Sequence, residues 1–184
     1  MPAPHAAYSA SPVTSTLANN MNKLITVILI SLFAPFLASG ADLTQPLIVD
    51  VPPNWVVSYK GDNRTRFYTV KREGGDTALM MLSIWPVPGN ISQIPEVIES
   101  MAKGFIVHAE KSKKFELLTT NYIVEEIHGD VFSGNFVQFS IKGGILQTMF
   151  MIGDKDVIWN GQFTGTKERW IEAVDILKKI KKNG

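Results

Sequence analysis

Arg66 to Lys71 alternates, with Phe67 and Thr69 on one side and Tyr68 and Val70 on the other. That period of two predicts a strand. Trp55 to Tyr59, just before it, is short and rich in β-formers. Ala78 to Trp85 is apolar at almost every position, which predicts a central strand buried on both faces. Pro52-Pro53, Gly74-Gly75-Asp76 and Pro86-x-Pro88-Gly89 punctuate these runs as turns. The period then changes. Ile94, Val97, Ile98, Met101, Phe105 and Ala109 make one helical stripe across Ser92 to Ser112, with Ser92 as the expected cap and Pro95 in the first turn. Gly104 inside that helix predicts close packing on the sheet.

Strand patterns return after the helix. Phe115 to Thr119 and Tyr122 to Ile127 flank Thr120-Asn121, a candidate hairpin. Asn135 to Ile141, Ile145 to Ile152 and Val157 to Thr164 follow, joined by Gly143-Gly144 and by Gly153 to Asp156. Tight glycine turns between three strands predict an antiparallel meander. Lys167 to Lys181 closes the chain as a second helix, capped by Thr166, with Trp170, Ala173, Val174 and Leu177 as its buried stripe. The lysines at its end suit the negative end of a helix dipole. Runs of strands with segregated helices give an α+β class, an antiparallel sheet covered by two main helices.

The first 40 residues follow another logic. Met21-Asn22-Lys23 precedes an apolar run from Leu24 to Leu37, and small residues surround Gly40-Ala41. This is the pattern of a secretory signal peptide over 21–40, cut before or just after Ala41. The run is shorter than the roughly 20 residues of a spanning helix, and Pro35 interrupts it. Both features weigh against an uncleaved anchor. Residues 1–20 have no Lys, Arg, Asp or Glu and no periodicity. They read as an over-extended start before Met21, or as a longer disordered leader. Residues 41–184 are then a single domain, with a periodic core large enough to fold alone.

Composition narrows the function classes. The whole chain has 18 basic and 17 acidic residues. The excess charge is Lys23, inside the leader, so the mature domain is formally neutral. A neutral domain is a poor nucleic-acid binder by counterion release. No cysteine is present, which excludes a thiol nucleophile, a thiolate metal site, a disulfide scaffold and a lipidated N-terminal cysteine. There is no P-loop, dinucleotide fingerprint or nucleophile elbow, so no cofactor is expected.

Val51-Pro52-Pro53-Asn54-Trp55, the long central helix, Gly134-x-Phe136-x-x-Phe139, Gly161-x-Phe163-x-Gly165 and Ala173-x-x-Ile176-Leu177-x-x-Ile180-Lys181 together resemble the PsbP-like (DcrB-like) α/β/α sandwich proteins. The resemblance spans about residues 47–181 and rests mostly on core positions and turns. It implies a small exported accessory protein. That family includes photosystem extrinsic subunits and bacterial envelope proteins, without a shared catalytic constellation to carry over. Envelope members are often lipoproteins, an anchor this chain cannot carry without a cysteine.

Two sets of side chains are candidates for chemistry. Trp55, Tyr59, Trp85 and Trp159, with Met149, could line a groove for a partner, against core packing as the alternative. Glu126 and His128 share one side of a strand, and Asp130 would join them if the strand ran past Gly129, giving a weak divalent-metal candidate. His108 sits on the flank of the helix stripe, and Arg64 and Arg66 beside Tyr68 could hold an anion. Asn63-Arg64-Thr65 and Asn90-Ile91-Ser92 match glycosylation acceptors, which matter only in a eukaryotic secretory pathway. The expected function is a periplasmic or secreted, non-enzymatic module that contacts another envelope or secreted protein, with no nucleic acid and no membrane anchor after cleavage. An immunity or inhibitor protein against an exported toxin or hydrolase is one alternative. A metal-assisted enzyme built on Glu126, His128 and Asp130 is another.

Overall fold

The structure, a computed structural model, describes residues 46–61, 66–74, 78–84, 90–112 and 116–183. The leader, Trp85, the Pro86–Gly89 loop, Arg64 with its acceptor motif, Lys113-Lys114 and Phe115 lie outside them. The strands are β1 (Leu47–Ile48), β2 (Trp55–Gly61), β3 (Arg66–Arg72), β4 (Ala78–Ile84), β5 (Glu125–His128), β6 (Ser133–Ile141), β7 (Ile145–Gly153), β8 (Ile158–Gly165) and β9 (Lys181–Lys182). The helices are α1 (Ile94–Ser112), entered through a 3-10 turn at Ile91–Gln93, and α2 (Lys167–Lys178). Seven strands form one antiparallel sheet in the order β2-β3-β4-β8-β7-β6-β5, while β1 and β9 pair separately. The class is α+β, as the segregated runs imply.

Strand alternation divides the sheet between two cores. Tyr68, Val70, Met80, Leu82, Phe136, Phe150, Trp159 and Phe163 share one face with Trp170, Ala173, Ile176 and Leu177 of α2. Val137, Phe139, Met149, Met151 and Ile158 point the other way and meet Ile94, Ile98, Ala102 and Phe105 of α1. The sheet is therefore a middle layer with one helix on each side. Each core is aromatic-rich, and burying one such side chain contributes about 2 kcal/mol.

Several local expectations are revised. Asn90, rather than Ser92, is the cap, and it caps the 3-10 turn that leads into α1. The Asn90 Oδ1 accepts the Ser92 N–H at 3.1 Å, and the Gln93 Oε1 accepts the Asn90 N–H at 3.3 Å. This reciprocal pair satisfies two donors that would otherwise be orphaned at a helix start. Ala102 belongs to the buried stripe, while Val97 and Met101 lie at its margin. Gly104 faces solvent with nothing near its Cβ position, so it does not mark close packing. Thr120-Asn121 turns no hairpin. Leu117 makes a lone bridge to Ile141, and β5 begins only at Glu125, pairing with β6. The strand ladder of β6 outcompetes a local turn that has no glycine. Finally, α2 stops at Lys178, because the chain must turn at Lys179 and Ile180 to pair β9 with β1. The Thr166 cap is present, accepting from the Arg169 N–H. Ile176 is in the α2 stripe where Val174 was expected.

Candidate functional site

Among the described residues of the aromatic set, Trp55, Trp159 and Met149 are core side chains and line no surface groove. Trp55 and Trp159 are 5% and 1% exposed and share the α2-side core. Trp55 donates its indole N–H to Glu172 Oε2 at 2.7 Å, and Arg72 and Arg169 also pair with that carboxylate. This clasp ties α2 to the start of β2 and the end of β3. Tyr59 is half-buried, 4.9 Å from the Tyr68 ring, which in turn stands edge-on to Trp159 at 5.8 Å. The Tyr68 hydroxyl takes the Leu47 N–H at 2.7 Å and donates to the Leu47 carbonyl at 3.1 Å. The row thus secures the β1 arm. Two polar atoms in it, the Tyr59 hydroxyl and the Trp159 indole nitrogen, are buried without a partner. Met149 belongs to the opposite, α1-side core.

Glu126 and His128 do meet, with Oε2 and Nε2 2.8 Å apart, but both stand well out in solvent. The strand ends at His128, and Gly129 donates to the Phe132 carbonyl in a turn. Asp130 is drawn away, its N–H bonded to the Lys178 carbonyl at 2.9 Å. Among the described residues no three His, Cys, Asp or Glu side chains gather into a metal site. His108 is half-buried on the α1 flank. Nor is any helix among the described residues long and apolar enough to cross a membrane.

The α1-side face of the sheet offers a different site. α1 packs on β6 and β7 and leaves the same face of β8, β4, β3 and β2 without a helix among the described residues. Strand register lays three rows across that open half. One runs Lys60, Phe67, Ser83, Asn160, and a second runs Ser58, Thr69, Met81, Gln162. The third runs Val56, Lys71, Leu79, Thr164. Leu79, Met81 and Phe67 are only half-buried. The expectation that β4 is buried on both faces is thereby corrected: Leu79, Met81 and Ser83 on this side are only half-buried.

The floor of this half-face is amide-rich. Asn160 and Gln162 on β8 are 2% and 5% exposed, and Gln147, on the β7 strand that α1 packs against, is 3% exposed. Ser83 donates to the Asn160 oxygen at 2.9 Å, and Thr164 to the Gln147 oxygen at 2.7 Å. Those contacts use the carbonyl ends. Among the described residues the two amino ends have no partner, and the Gln162 carboxamide has none at either end.

The Lys103 amine is held above its ordinary value by its hydrogen bond to Glu99 and their attraction, with a smaller contribution from Tyr122. The signal for this floor was present in sequence as Asn160-x-Gln162-x-Thr164, a polar period of two inside a strand otherwise read as core. In comparisons of the sequence, no protein-family model and no curated protein matches the chain.

Proposed function

We propose that the protein is an exported, non-enzymatic accessory protein that acts by holding another envelope or secreted protein. The observation that carries this reading is the half of the α1-side face that no described helix covers, where half-buried Phe67, Leu79 and Met81 stand beside half-buried Thr69, Ser83 and Thr164. Such a mixture is what a recognition surface needs: apolar area for affinity and a few fixed polar groups for orientation. The signal-peptide pattern over 21–40 supports export. The PsbP-like resemblance of residues 47–181, read from the sequence, is the second support for an accessory role. The formally neutral domain favours shape and hydrogen bonding over long-range steering.

Cell fractionation with affinity capture tests the reading. The protein is expected as a soluble species in the exported compartment, and the tagged wild type is expected to bring down one partner in near-stoichiometric amount. A purely cytoplasmic location, or capture of nothing, overturns it.

A further inference from the structure

We propose that the β1 arm exchanges between two copies of this chain, giving a dimer in which residues 46–51 of each copy fill the slot of the other. The slot is seen with an occupant in place. β1 pairs with β9 in a two-stranded sheet and is no part of the seven-stranded one. Leu47 and Ile48 face Lys182 and Lys181, and the Pro46 carbonyl accepts the Asn183 N–H at 3.0 Å. The Tyr68 hydroxyl holds both the N–H and the carbonyl of Leu47, whose side chain is 1% exposed. Val49 and Val51 pack on the same core. The polar partners of the arm, Tyr68 and the tail, all lie beyond residue 54. The arm of a second copy therefore meets the same groups, and its fit is the fit of the arm already there.

The hinge favours exchange. The arm reverses into β2 through Pro52, Pro53, Asn54 and Trp55. The Trp55 N–H donates to the Pro52 carbonyl at 3.1 Å, and Asn54 has φ 72°. Proline second and a positive φ third are features of a type II turn. Asn54 is the one non-glycine at positive φ among the described residues. That conformation is strained for any residue with a Cβ, least so for Asn and Asp. The two prolines also bias Val51 and Pro52 toward extended backbone. Opening the turn lets these three residues span about 10 Å and releases the strain at Asn54. Pro52, Pro53 and Asn54 are all exposed, so opening the hinge uncovers no core of its own. Closed and exchanged forms hold the same arm contacts and differ in the hinge and in the entropy of association. Concentration then sets the balance between them.

A cysteine pair tests this. The chain has no cysteine of its own. Ile48→Cys with Lys181→Cys, exposed register partners, places one thiol on each strand of the β1–β9 sheet. The chain, purified after export, concentrated, warmed to loosen the arm and cooled, should show a dimer by size-exclusion chromatography with light scattering. Once oxidised, that dimer should stay covalent on a non-reducing gel, and mass spectrometry of its digest should place the bond between positions 48 and 181. The monomer fraction should carry the same bond within one chain. Asn54→Gly relieves the closed turn and should weaken the dimer about tenfold, while Asn54→Val penalises the turn and should strengthen it about tenfold. Thermal melts confirm that each variant folds. No dimer at any concentration, dimers whose disulfides all stay within one chain, or equal dimerisation of the two Asn54 variants would overturn the proposal. A disulfide formed in the exported compartment to a different protein would overturn the choice of a second copy as occupant.

Discussion

Gly134 and Gly161 lie where neighbouring strands press closest. A Cβ at Gly134 would stand 2.8 Å from the Ile152 Cα and closer still to the Met151 carbonyl. One at Gly161 would stand 2.6 Å from the Met81 carbonyl and run into the Phe150 ring. Backbone cannot yield without parting the sheet, so Gly134→Ala and Gly161→Ala should each cost about 3 kcal/mol in denaturant unfolding. Gly104→Ala should do the reverse. It fills open space on an exposed helix interior and removes backbone freedom from the unfolded chain, gaining about 1 kcal/mol. The Tyr59 hydroxyl poses a related test. It is buried over Gly61 with no partner, so Tyr59→Phe should raise stability by about 1 kcal/mol. A fall in the melting temperature would mean that the hydroxyl is hydrogen-bonded in solution.

Among the elements, the most legible in sequence were those whose pattern and environment agree. The β6–β8 meander follows from alternating apolar positions and from Gly143 and Gly144, both at positive φ. The α1 stripe is readable because a single face is buried along its length. What was not legible depended on reach. The run Ala78 to Ile84 is apolar on both sides, and nothing in it reveals that Leu79 and Met81 are only half-buried. The same blindness hid the amide floor, because a polar residue in a buried strand looks identical whether its partner is internal or external. The core place of Trp55 is hidden for a related reason: it has an apolar body and one donor, and the sequence cannot show that Glu172, 117 positions away, accepts from it. Trp55→Phe keeps most of the buried ring but leaves the carboxylate short of one partner. It should cost about 2 kcal/mol by chemical denaturation. Double-mutant analysis with Glu172→Gln should give a smaller loss than the sum of the two singles, since both act through one contact.

At the scale of the molecule, the C-terminal tail closes the fold. β9 pairs with β1, the Asn183 N–H reaches the Pro46 carbonyl at 3.0 Å, and Lys182 bridges Asp154 and Asp156 in the turn between β7 and β8. Asp154 is the pivot. Its Oδ1 accepts the N–H groups of Asp156 and Val157 at 2.8 and 3.0 Å. Burial alone would raise its carboxyl, but the hydrogen bond from Lys182 and those two backbone N–H groups outweigh it and hold the group below the usual carboxylate range. A carboxyl depressed in the folded state contributes stability above its unfolded value and loses it as pH falls through the folded one. The Lys182 amine is raised, chiefly by its hydrogen bonds to Asp154 and Asp156, so it stays charged throughout the acid range and loses its contribution only above the ordinary lysine value. Acid loss in this clasp therefore belongs to the carboxylates. Asp154→Asn should lower stability by about 1 kcal/mol at neutral pH, with a matching fall in melting temperature. The gap between wild type and variant should narrow as pH drops below about 4 and close once Asp154 is protonated. Melting curves across that range decide it: a gap that stays constant into acid would show that the tail is held by the β1–β9 pairing and not by the charge on Asp154.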